Sequence, residues 1–179
     1  MSAISDRISQ LSSAVGVYGT NGTISTAINA ATGLSVDNQT NLDNAHASRL
    51  EESLAAKVEA EETKRDGKPG EQTAVAVNGV IWFAIFAKDY TKALSVADHA
   101  HALFPDNLGI ETNRAHALMF IGRDEEAKTL YLAHKKEPVS GEISKLWEQV
   151  IADDFAAFRK AGLTNPMMAD IEKELGISR

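Results

Sequence analysis

Residues 80–105 read VIWFAIFAKDYTKALSVADHAHALFP, and residues 113–138 read NRAHALMFIGRDEEAKTLYLAHKKEP. The two stretches share few identities, yet they keep step. Ile81 and Ala115, Ala93 and Ala127, and Ala97 and Tyr131 are each thirty-four residues apart, and Pro105 and Pro138 are thirty-three apart. Each stretch is interrupted once, by KD or by GR, and each ends on proline, which cannot continue a helix interior. This pattern predicts two pairs of antiparallel helices, 73–87 with 90–103 and 108–121 with 124–134. No segment shows the sustained period-two alternation of a half-buried strand, so the whole chain reads as all-α.

Small residues recur where such helices must cross. A bulky side chain at a crossing forces two axes apart, so alanine belongs there and larger residues belong beside it. Ala93 and Ala127 open the second helix of each pair, Ala84 and Leu118 lie in the first, and Ala100 sits near the end of the second. Gly122 stands where the chain needs a left-handed residue to stop a helix, whereas the earlier copy has Lys88 at that step.

Composition divides the chain unevenly. Apart from Tyr18, every aromatic residue lies at or after Trp82, so the large side chains that fill a core belong to the carboxy-terminal part. RDGKPGEQ, at 65–72, disfavours helix and strand alike, and we place a boundary at about residue 70. Residues 1–70 are expected to form a helical arm and linker, and residues 71–179 a helical domain. Within the arm, Ile4, Ile8, Leu11, Val15 and Tyr18 form a heptad-type stripe, which reads first as an amphipathic helix docked on its own domain and, as the alternative, as one that pairs with another chain. A long helix over 41–64 should carry Leu50, Leu54 and Val58 on one side.

Residues 73–138 resemble two tetratricopeptide repeats, whose helix pairs have this period. The first copy supplies Val80, Tyr90, Ala93, Ala100 and Pro105, and the second Ala115, Gly122, Ala127, Tyr131 and Pro138. Both lack the early aromatic residue of the family pattern, having Val77 and Glu111 there. The resemblance implies a short solenoid. It also implies a concave face on the first helices, where Asn78, Trp82, Ile85, Thr112, Asn113, His116 and Met119 would bind a protein or peptide segment. Asn113 falls where family members hydrogen-bond a bound peptide's main chain. The amino-terminal arm packing into that groove is the competing expectation. A third pair, in ISKLWEQVIADDFAAFRKAGL and NPMMADIEKELG, has Trp147, Ile151, Phe155 and Phe158 on one face and reads as a terminal cap of the array. From 111 onward the chain also resembles carboxy-terminal helical regions of large bacterial proteins, some of which carry a caspase-like peptidase domain.

That peptidase chemistry does not transfer, because the chain has no cysteine and therefore no thiolate nucleophile, disulfide or cysteine-ligated zinc. No cofactor or metal is expected. His99 and His101 are two apart and point to different sides of a helix, while His116 and His134 have no ligand partner nearby in sequence. The acidic pairs Glu51-Glu52, Glu61-Glu62, Glu125-Glu126 and Asp153-Asp154 diverge by about 100° per residue on a helix, so they read as helix-start charges or solvated faces. GVYGTNG lacks the strand and lysine of a phosphate loop. A net charge of -7 argues against nucleic acid and anionic membrane surfaces. The longest apolar run, VIWFAIFA, is too short to span a bilayer, and a cytoplasmic location is expected. The expected function is a non-catalytic protein-interaction module. The alternatives are a homo-oligomerising element working through residues 4–18, or a small helical enzyme.

Overall fold

The computed structural model describes residues 36–139 and 145–177. Two compact units, 1–40 and 41–179, divide the chain, and the fold below is that of the second. The heptad stripe from Ile4 to Tyr18 lies outside the described residues. Seven helices are present among the described residues: α1 (Val36–Asp66), α2 (Glu71–Phe86), α3 (Tyr90–Leu103), α4 (Leu108–Ile121), α5 (Asp124–Ala133), α6 (Trp147–Lys160) and α7 (Met167–Leu175). The described residues are helical apart from loops and two antiparallel two-residue strands, β1 (Pro138–Val139) and β2 (Lys145–Leu146), which lie between α5 and α6 with Pro138 opposite Leu146. Among the described residues no helix is long and apolar enough to cross a membrane.

The period read from the sequence is a period of the backbone. At the end of α2 the amide of Lys88 donates to the carbonyl of Ile85 and that of Asp89 to Ala84, each at 2.9 Å. Thirty-four residues on, Gly122 donates to Met119 at 3.2 Å and Arg123 to Leu118 at 2.9 Å. Ala93 and Ala127 then take up equivalent bonds to Asp89 and Arg123 as the second helices begin, both at 2.9 Å. Both turn residues are left-handed, Gly122 at φ +85° and Lys88 at φ +61°. A lysine therefore carries a conformation that suits glycine.

α3 packs against both α2 and α4, α2 against α4, and α4 against α5. Ala84, Ala93, Ala97, Ala100, Ala115, Ala117 and Ala127 have no exposed surface, as expected of crossing residues that let helix axes approach. Asp89 caps α3 by accepting from the Lys92 amide at 3.2 Å, and Asn107 caps α4 by accepting from the Ile110 amide at 3.1 Å.

α2 has no such residue, since its cap is Gly70. Its free amides are met from another helix. The buried carboxylate of Glu62, on α1, accepts from the amides of Gly70 (2.7 Å), Thr73 (3.1 Å) and Gln72 (3.3 Å) and from the Thr73 hydroxyl (2.6 Å). Burial pushes the Glu62 carboxyl upward, but the Thr73 hydroxyl and the three amides outweigh it and hold it below its ordinary value. Of the acidic pair, Glu61 is exposed as expected, and Glu62 is not. Gly79 leaves room on α2 for Glu51, whose carboxylate lies 3.4 Å from where a β-carbon would stand.

The inward face of α1 also departs from expectation. Ser48, Ala55, Val58 and Glu62 face inward, Leu54 is half-buried, and Leu50 is 56% exposed. Each step of four residues rotates a stripe by about 40°, so Leu50 has swung roughly 80° from Val58. The last two helices differ from the expected stacked third pair as well. α7 packs on α5, whereas α6 packs on α4 and its Phe158 reaches α2.

A candidate interaction groove

The stripe Val75, Asn78, Trp82 and Phe86 runs along α2 at steps of three, four and four, and His116 and Phe120 continue the same surface on the neighbouring α4. A helix lies on this surface, and it is α6. The Phe158 ring sits among four others, with centroids 5.3 Å from Trp82, 5.4 Å from Phe86, 5.3 Å from Phe120 and 4.9 Å from His116, the last two edge-on. Phe155 fits between His116 (5.7 Å) and Tyr131 (5.6 Å). Trp147 anchors the start of α6, donating from Nε1 to the Tyr131 carbonyl at 2.7 Å.

One polar contact sits inside this apolar joint. His116 has no exposed surface, its Nδ1 is 2.7 Å from the Tyr131 hydroxyl, and its Nε2 is 3.0 Å from Oδ2 of Asp154 on α6. Each ring nitrogen thus has one partner, and the Tyr131 hydroxyl also lies 3.7 Å from the Met119 sulfur. Burial, with the negative charge of Asp154 behind it, pushes the Tyr131 hydroxyl well above its usual value, so the phenol keeps its proton. The expectation of solvated charges at Asp153-Asp154 holds for Asp153, which is exposed, and fails for Asp154. Divergence of neighbouring residues on a helix turns one outward and the other onto the groove. His116 likewise finds its partner thirty-eight residues away rather than nearby in sequence.

The seven residues expected to face a partner divide into three groups. Trp82 and His116 share the surface under α6, and Trp82 stays half-exposed. Asn78 and Asn113 also meet, the Asn113 amide donating to Asn78 Oδ1 at 2.8 Å. Ile85 and Met119 belong to the hydrophobic core, without exposed surface, and the Thr112 hydroxyl bonds back to the Leu108 carbonyl at 2.6 Å. Phe86 and Phe120 were missed, although they stand four residues beyond Trp82 and His116 and are themselves thirty-four apart. That signal was legible. Nothing local announced that Asp154, Phe155 and Phe158 would be their partners.

Among the described residues no group of three or more histidine and acidic side chains converges in a way that could hold a metal ion. Comparison with protein-family models, curated proteins and solved structures finds no match.

Proposed function

We propose that the chain is a non-catalytic protein-interaction module of tetratricopeptide-repeat type, in which the face shared by α2 and α4 takes a helical protein segment. The observation that carries this reading is the seat of α6, a one-sided helix held on that face by aromatic anchors and one carboxylate–imidazole contact. Helix-in-groove recognition works through such anchors. Two paired helices whose turns and starts recur at the same backbone steps also support the repeat reading. The enclosed pair His116 and Tyr131, beside a partly exposed Asp154, supports a role without catalysis, because neither the imidazole nor the phenol has surface on which a substrate could act. A cytoplasmic setting, no resident cofactor, and partners other than nucleic acid or membrane complete the proposal, and the net charge of -7 favours the last of these.

Val75 lies on the same α2 stripe, beyond the part covered by α6, and is 52% exposed. A photo-crosslinking residue placed there in the native host should trap one defined protein in high yield. Trapping only further copies of the chain would replace the adaptor reading with self-assembly, and trapping nothing would remove it.

A further inference from the structure

α6 behaves as a ligand would. Its Trp147, Ile151, Phe155 and Phe158 have no exposed surface, Arg159 donates to Glu172 on α7 at 2.6 Å, and Asp153, Ala156 and Lys160 are exposed, so one stripe meets the protein and the side opposite it meets water. α4, by contrast, is buried without a break from Ile110 to Thr112 and on both sides of Arg114, and cannot be lifted out of the fold. The surface under α6 has three recognition elements. Phe158 enters a setting of Trp82, Phe86, Phe120 and His116; Phe155 enters one of His116 and Tyr131; and the imidazole, held at Nδ1 by Tyr131, aims Nε2 at a carboxylate. A helix lacking that carboxylate would leave a buried ring nitrogen unpaired, which is the kind of penalty that gives selectivity.

We propose that α6 is a cis-acting occupant of a helix-binding groove, and that the groove accepts in its place a helical segment of a partner protein carrying aspartate followed at once by two aromatic residues three positions apart. This inference rests on the interaction-module reading and names the partner's chemistry. Displacement of α6 makes binding self-regulated, since the partner must outcompete a ligand that is always at hand.

The test uses the full chain and a fluorescent synthetic peptide with the sequence of residues 145–163, KLWEQVIADDFAAFRKAGL. Asp154→Ala with Phe158→Ala in the chain weakens the cis ligand and changes no residue of the α2–α4 face. By fluorescence anisotropy the double variant should bind the peptide saturably, and the unaltered chain at least about tenfold more weakly. Alanine in the peptide at the position of Asp154 should weaken binding by at least about tenfold, as expected for a partly buried hydrogen bond to a charged group. Alanine at the outward-facing position of Asp153 should change nothing. Equal binding of the two alanine peptides, or no binding by a variant with parental helicity, overturns the proposal. If the double variant loses its circular dichroism, Ile151→Ala in the full chain takes its place, and failure of that variant to bind is equally decisive. An unaltered chain that runs as a dimer with α6 exchanged names a second copy as the occupant and overturns it too. Failure here with crosslinking from Val75 intact removes this groove but not the interaction function.

Discussion

The pair α2–α3 and the pair α4–α5 share turn geometry, crossing alanines and the hydrogen bonds that start their second helices, yet they live in different surroundings. Trp82 and His116 stand at equivalent steps, and the tryptophan keeps solvent contact while the histidine has none. α4 is enclosed by α2, α3, α5 and α6. α2 exposes Val75 at its start, and its first amides are met by a glutamate from α1. A repeat period therefore specifies local backbone, whereas the chemistry of each repeat position is set by what packs on it.

Removing what packs on α4 should have the largest effect. Phe158→Ala deletes a fully buried ring and is expected to cost about 3–5 kcal/mol. For a domain of this size that lowers the melting temperature by roughly 10 °C or more. Hydrogen exchange should then accelerate in α4 more than in α3. Equal acceleration throughout would mean that α6 supports the whole fold and not one face.

Overpacking probes what the two pairs share. Ala93→Leu and Ala127→Leu should each destabilise by about 1–3 kcal/mol, since both alanines are fully enclosed at equivalent crossings. If one variant melts like the parent, the two crossings are not equivalent despite their matching hydrogen bonds.

Much of this was legible in the sequence, for identifiable reasons. The bounds of α3 and α4 follow from caps at Asp89 and Asn107, the left-handed Gly122 and the closing Pro105, all of which act within a few residues of themselves. The apolar stripe Trp147, Ile151, Phe155 and Phe158 was equally plain as a face. Its destination was not, because periodicity states which side of a helix is apolar and is silent on which distant helix receives it. The same limit hid the roles of Asp154 and Glu62. Each sits in an acidic pair whose members look alike in sequence and are separated only by the helix surfaces they turn toward.

Glu62 marks a second contrast between the pairs, since α4 is capped by its own Asn107 and α2 by a residue eight positions before its cap. Glu62→Gln keeps the shape and removes the charge that four donors address, so at neutral pH it should cost about 1–2 kcal/mol. The folded carboxyl lies below its ordinary value of 4.5. Its contribution is therefore complete above that value and is lost as pH falls through the lower folded one. Urea melts of parent and variant should converge as the pH is lowered toward 3 and separate again near neutrality. A gap of constant size would assign the effect to packing.

The smallest effect concerns the turn residues themselves. Lys88 and Gly122 adopt the same left-handed backbone and make the same two amide bonds, but only glycine does so without a clash between its β-carbon and the backbone. Gly122→Lys should therefore destabilise by about 1 kcal/mol, and Lys88→Gly should stabilise by somewhat less, because glycine also loses more freedom on folding. No heavy atom lies within 4 Å of where a β-carbon on Gly122 would stand, so the cost there is conformational and not steric crowding by neighbours. The double variant that exchanges the two residues sharpens the comparison most. If the turns are equivalent in energy as well as in geometry, the two opposite effects should nearly cancel, and the unfolding free energy from a urea melt should fall within about 0.5 kcal/mol of the parent's. A larger departure would show that burial, which differs so much between α2 and α4, reaches into the turns that end them.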